Sequence, residues 1–159
     1  MNKSIIETQF QVQNLNTLYA STIDNDRLEE WPYHFTEDCF YRITTKEDFD
    51  EGLPLGIIYA TSRNMLIDRV TSLRYANIYE AQCYRHINSA PLILSVKNDT
   101  LVVETNFAVV RVMHDGDSML FASGRYLDKI KKEADDLKFA ERVVVVDSRK
   151  FDTLLAIPL

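Results

Sequence analysis

Three histidines, His34, His86 and His114, are where chemistry would begin, because an imidazole can ligate a metal or pass a proton near neutral pH. None stands in an H-E-x-x-H or H-x-H run or has a carboxylate three or four residues away on a predicted helix, spacings that put two ligands on one face. A facial triad of two His and one carboxylate would have to be gathered across the fold. Cys39 and Cys83 lie outside any C-x-x-C or C-x-H pair, so cysteine supplies neither a zinc site nor an iron-sulfur cluster. Both read as small buried hydrophobes. No G-x-S-x-G elbow is present, and Ser123-Gly124 falls inside a predicted strand. There is no G-x-G-x-x-G or Walker loop, and four glycines leave little to cradle a phosphate. The residues themselves assign no catalytic, cofactor-binding or metal-ligating group.

General acid-base catalysis asks for less: one carboxylate or histidine in an apolar enclosure that shifts its pKa. Asp24, His34, Asp38 and Tyr41 qualify, since they fall where the predicted helices meet the mouth of the predicted sheet. The same residues also read as structure, Asp24 as a helix cap and His34 and Tyr41 as half-buried surface side chains. A second cluster, from Asp68 to Ser89, interleaves Arg69, Arg74 and Arg85 with Tyr75, Tyr79 and Tyr84 and includes His86. Arg and Tyr combine large contact area with directed hydrogen bonds, and Arg also stacks on aromatic faces. Arg69, Arg74, Tyr79, Tyr84, Arg85 and His86 are therefore candidate contacts to another protein. The other reading is an intramolecular network in which Asp68 or Glu80 pairs the arginines, with His86 a hydrogen-bonded structural histidine.

The elements that must position these groups follow from periodicity. Ile5, Ile6, Phe10, Val12, Leu15, Leu18, Tyr19 and Thr22 recur at helical steps, predicting an amphipathic helix from Lys3 to about Ile23. Asp24 offers an N-cap, and Asp26, Glu29 and Glu30 put acid in the first turn of a short second helix ending at Trp31-Pro32. Asp38 to Thr45 alternates as a strand, Lys46 to Gly52 is an acidic loop, and Leu55 to Ala60 is a second apolar stretch. A third helix runs from Ser62, a possible cap, to Arg74. Four long strands follow, roughly Ala81 to Val96, Thr100 to His114, Ser118 to Lys132 and Leu137 to Ser148. Asn98-Asp99, Asp115-Gly116 and Asp135-Asp136 separate them, with Asp115-Gly116 the strongest hairpin signal. Helices followed by an antiparallel meander make an α+β fold, expected here as a half-open cone wrapped around the first helix. Its interior can be a pocket or simply a core, and its outer sheet face is free to meet another protein.

Composition agrees with a single domain: 159 residues, 46% hydrophobic, can bury a core without disulfides or a structural metal. A net charge of -6 argues against a phosphate backbone as partner. Glu7, Gln9 and Gln11 interrupt any apolar leader and no run reaches the ~20 residues of a membrane span, so a cytoplasmic location is expected.

Several blocks resemble a known family. Glu51-Gly-Leu-Pro-Leu-Gly-Ile-Ile-Tyr-Ala60, Met65-Leu-Ile-Asp-Arg-Val70, Leu73-Arg74, Ala76-Asn-Ile-Tyr-Glu80 and Tyr84-Arg-His86 are similar to the small (beta) subunit of aromatic-ring-hydroxylating dioxygenases. Arg111-Val-Met-His-Asp-Gly116, Phe121-Ala-Ser-Gly-Arg-Tyr-Leu-Asp128, Glu141-Arg142 and Asp152-Thr-Leu-Leu-Ala-Ile-Pro-Leu159 extend the resemblance over nearly the whole chain. The branch it resembles most acts on aromatic carboxylates: terephthalate, anthranilate or ortho-halobenzoate.

The resemblance implies a nuclear-transport-factor-like cone spanning the whole chain and no cofactor of its own. It implies a large (alpha) subunit carrying a Rieske [2Fe-2S] cluster and a mononuclear Fe(II), joined to this chain in an α3β3 hexamer with the small subunits as the stalk. The holoenzyme would insert both atoms of O2 into an aromatic acid, giving a cis-dihydrodiol or a catechol. Electrons would come from NADH through a reductase, with or without a ferredoxin. The alternative is a free-standing small-molecule-binding protein, isomerase or dehydratase of the same fold, which would use the cone as a pocket. Two features favour the scaffold: the meander is rich in large apolar side chains that can fill the cone, and no carboxylate-histidine pair stands out within it.

Overall fold

The structure, a computed structural model, describes residues 3–75, 81–149, 151 and 155–159. Helix α1 spans Lys3–Asp24 and ends where the sequence places a cap for the next helix. Its stop is a Schellman turn: Asp26 adopts φ 56°, Arg27 N–H donates to the Thr22 carbonyl at 2.9 Å and Asp26 N–H to that of Ile23 at 3.1 Å. Asp24 is thus the last residue of α1, and no second α-helix forms before the first strand. Instead a 3-10 turn, Trp31–His34, carries Pro32 in its first two positions, where the missing N–H costs nothing.

Strand β1, Phe35–Thr45, starts three residues before the predicted boundary. The acidic loop contains a short helix, α2, Lys46–Asp50, whose Asp48 N–H donates to Thr45 Oγ1 at 3.1 Å. Only Ile58–Ala60 of the next apolar stretch is strand, β2. Helix α3, Arg63–Tyr75, is capped as expected by Ser62, whose Oγ accepts from Met65 N–H at 3.2 Å.

The region expected as one strand from Ala81 to Val96 is two, β3 (Gln82–Asn88) and β4 (Leu92–Lys97). Both pair antiparallel with the same edge of β5 (Thr100–Met113), one along each half. Pro91, with no N–H to give, separates them, and Ser89 closes the gap by exchanging bonds with Asn106. β6 (Ser118–Glu133) and β7 (Asp136–Val146) complete the meander. The sheet order is β2-β1-β7-β6-β5-β3, and β1 lies parallel to β7, a long-range pairing that no turn signal announces.

The turns sort differently from their sequence signals. Asn98 and Asp99 both have positive φ (49° and 59°), the requirement of a type I′ hairpin, whereas at Asp115-Gly116 only the glycine does. In the last turn Ala134 carries the positive φ, 54°. Gly124 matters for space rather than for a turn. A Cβ there would overlap the Val145 carbonyl oxygen of β7, so the close approach of the two strands requires glycine.

The sheet curls around α1. The helix buries Val12, Leu15, Tyr19 and Ile23 against it, yet Phe10 is 70% exposed and Ile5, Ile6 and Leu18 also face water. Only part of the apolar stripe is core, because the polar Asn16 takes an inward position. Among the described residues no helix is long and apolar enough to cross a membrane.

Candidate functional site

The hairpin between β6 and β7 sets the centre of the cone. Tyr126, Asp128 and Ile130 alternate inward on β6, and Asp128 sits directly opposite Arg142. The register slips by one residue between Phe139 and Glu141, so Phe139 and Arg142 both point inward despite odd spacing. Arg142 Nε and Nη2 each reach one Asp128 oxygen at 2.8 Å, and Nη2 also donates to Asn16 Oδ1 at 2.5 Å. Asn16 Nδ2 passes the chain on to Thr105 Oγ1 at 3.1 Å. The guanidinium lies 3.8 Å from the Phe139 ring centre, 3.9 Å from Tyr126 and 4.3 Å from Tyr19. Both charged side chains are fully buried. Burial raises the Asp128 pKa while Arg142 opposes it. For Arg142, burial works against the charge, and Asp128 followed by Tyr19 and Tyr126 outweighs it. Two parallel bonds to both carboxylate oxygens are the geometry of an ion pair, so this carboxylate is committed to structure and is not a free base. Sequence reading misses the pair; the available signal is an aspartate in the inward parity of β6 and an arginine opposite it across a two-residue turn.

The four candidates at the mouth do not converge. Tyr41 is fully buried, its hydroxyl donating to the Leu159 main-chain oxygen at 3.0 Å, and Tyr19 donates to the same oxygen at 2.5 Å. Burial raises both phenol pKa values, Tyr41 most. His34 Nε2 meets Thr22 Oγ1 at 2.8 Å, and burial, with Lys138, Arg142 and Arg27, holds its pKa down to about 4. Asp38 is exposed on β1. Asp24 binds His86 twice, Oδ1 to Nδ1 at 2.6 Å and Oδ2 to the backbone N–H at 2.8 Å. A carboxylate-histidine pair therefore does exist inside the cone, contrary to the sequence expectation. Its partners are 62 residues apart and meet only because the end of α1 lands on β3.

The stretch expected to meet another protein divides. Tyr84 is buried with its ring 5.4 Å from Phe121, and the His86 side chain is fully buried, its Nε2 without a hydrogen-bond partner among the described residues. Arg74 binds Glu29 at 2.7 Å and Asp26 at 2.8 Å, so the acid expected to start a second helix pairs with α3 instead. Among the described residues Asp68 makes no such pair, and Glu80 and Tyr79 lie outside them. Arg69 Nη2 reaches the carbonyl oxygens of Leu155 at 3.2 Å and Ala156 at 3.5 Å. Arg85 is exposed, on the face of β3 opposite Tyr84 and His86. That outer face also carries Ile87, 59% exposed, and Leu120 of β6, 63% exposed, opposite Val110 of β5.

What fills the cone is the chain's own last described segment. Leu155, Ala156, Ile157, Pro158 and Leu159 are all buried, held by Tyr19, Tyr41 and Arg69. Cys39 is buried, its thiol pushed up to about 11 mainly by burial, whereas Cys83 is exposed because it shares the outward parity of Arg85. Among the described residues no group of three His, Cys, Asp or Glu stands together as a metal site.

A family model described as ring hydroxylating beta subunit matches residues 19–153. Terephthalate 1,2-dioxygenase, terminal oxygenase component subunit beta 2, from a Comamonas species is 46% identical over 151 residues, 95% of this chain and 98% of that one. The anthranilate 1,2-dioxygenase small subunit of Burkholderia cepacia is 42% identical over 154 residues, 97% and 96% of the two chains. The crystal structure of a Novosphingobium aromaticivorans protein assigned as the beta subunit of an aromatic-ring-hydroxylating dioxygenase superposes with a TM-score of 0.91. It is 31% identical, covering 99% of this chain and 100% of that one.

Proposed function

Because this chain belongs to the ring hydroxylating beta subunit family, we propose that it is the scaffold of a Rieske non-haem iron dioxygenase and contributes no group to the reaction. Three copies would join three large subunits in an α3β3 hexamer. The Rieske cluster and mononuclear iron of the large subunit would supply the O2 chemistry, with electrons from NADH through a reductase. The substrate would be an aromatic carboxylate, the class named in terephthalate and anthranilate dioxygenases. The expected location is the cytoplasm.

The observation that supports this reading is the filled cone. An enzyme that works inside such a fold needs an open volume beside an accessible acid or base. Here Asp128 and Arg142 hold one another, and residues 155–159 occupy the space between Tyr19, Tyr41 and Arg69. The surface left for a partner is the outer sheet face, where Ile87, Val110 and Leu120 share one side of the sheet with Arg85. A scaffold matters here without touching substrate, since electron transfer falls steeply with distance and three large subunits must be held in register.

The test is light scattering with iron analysis on the chain alone and co-expressed with a Rieske-type large subunit. An iron-free chain alone and an iron-containing hexamer of equal chain numbers are expected. A chain that ignores the large subunit and retains iron by itself would contradict the proposal.

A further inference from the structure

The hydroxyls of Tyr19 and Tyr41, 22 residues apart in sequence, converge on one oxygen, the main-chain oxygen of Leu159, at 2.5 and 3.0 Å. Two donors aimed at a single acceptor in a water-excluded site are the arrangement that binds a carbonyl oxygen or an oxyanion strongly. The surroundings are aromatic: the Tyr41 ring meets Trp31 and Phe35 edge-on at 5.2 and 5.6 Å. Burial raises both phenol pKa values, so the pair stays protonated and continues to donate well above neutral pH.

The present acceptor belongs to a segment that is in the cone but not of it. Among the described residues, 155–159 form no strand or helix and make no backbone-to-backbone hydrogen bond. Side chains hold them: the two tyrosines at one end and Arg69 at the other, while Ile157 closes a cleft of about 260 Å³ beside Asp24 and Tyr84. A segment that, among the described residues, is held by side-chain donors and apolar contact can be exchanged for another molecule with the same features, namely an apolar body and one strong oxygen acceptor.

We infer that the cone contains a latent binding site for a small aromatic compound bearing a phenolate, carbonyl or carboxylate oxygen, and that residues 155–159 occupy it as an internal ligand. The oxygen would take the place of the Leu159 main-chain oxygen between Tyr19 and Tyr41, and the ring would lie against Trp31 in the space of the segment's side chains. This goes beyond the scaffold role and does not depend on the large subunit.

The test uses the full chain with 4-nitrophenol as probe, read by its absorbance and by calorimetry. Ile157→Asp with Leu159→Asp sets carboxylates against the apolar interior and releases the segment without shortening the chain. This variant is expected to bind 4-nitrophenol one to one and at least 10-fold more tightly than the unaltered chain, and adding Tyr41→Phe is expected to reverse the gain. If the double variant does not fold, hydrogen exchange on the unaltered chain decides: saturating 4-nitrophenol should speed exchange of the Leu155, Ala156, Ile157 and Leu159 amides and leave the β6 amides unchanged. A folded double variant with no gain in binding, or a gain indifferent to Tyr41→Phe, would overturn the inference. So would exchange at 155–159 that the probe does not alter.

Discussion

The concave and convex sides of the same sheet are built on opposite terms. Facing α1, Asp128 and Arg142 are both fully buried and bind each other, with Arg142 also donating to Asn16. One layer away, on strands β3, β5 and β6, Ile87, Val110 and Leu120 stand outward, Leu120 with 63% of its surface in water. A lone domain gains nothing by leaving such side chains in solvent, while an interface needs them. The charged residues that look chemical are structural, and the apolar ones that look structural are available for contact.

The largest effect is expected at the buried pair. Arg142→Met leaves Asp128 as an unpaired carboxylate in the core and should cost about 3–5 kcal/mol of stability. Asp128→Leu combined with Arg142→Met should recover most of that, since removing both charges avoids the orphan. Urea unfolding of the parent and both variants measures it. A single variant within about 0.5 kcal/mol of the parent would show that the pair does not carry the interior.

A pH titration sharpens the same contrast. The folded chain keeps His34 neutral down to about pH 4, while the unfolded chain takes up that proton near 6.5. Between those values the unfolded state binds more protons, so stability should fall as pH falls from about 6.5 to 4. His34→Gln should flatten that part of the profile, and an unchanged slope would assign it to another group.

Tyr41→Phe removes one of the two hydroxyls on the Leu159 oxygen and should cost about 1 kcal/mol, as one net hydrogen bond does. Ala134→Gly relieves a left-handed alanine and should add up to about 1 kcal/mol, leaving assembly untouched. Thermal melts rank the two.

How much of this is legible in sequence depends on the range of the interaction responsible. Helical stripes and the meander are readable because their periods are local, and α1, α3 and strands β5 to β7 fall close to their predicted places. Asp24 escapes such a reading because its role is fixed by His86, 62 residues on, and by the Schellman turn that ends α1 after it. The parallel β1–β7 pairing and the split at Pro91 escape it for related reasons: one is long-range, and the other lets two strands share one edge of β5. Arg74 illustrates the limit for the site. Its residue type suggests a contact, its spacing suggests a helix face, and only the folded chain shows Asp26 and Glu29 already holding it.

The smallest effect on the chain itself, and the most direct test of the account, is expected on the outer face. Leu120→Asp and Ile87→Asp should each shift stability by no more than about 0.5 kcal/mol, because both side chains are already in water. Co-expressed with the large subunit, their assembly should be followed by sedimentation alongside the interior variant Asn16→Ala. The account predicts that the outer-face variants fold normally and lose the hexamer, while Asn16→Ala lowers the melting temperature and still assembles. Outer-face variants that assemble and support turnover as the unaltered chain does would contradict it.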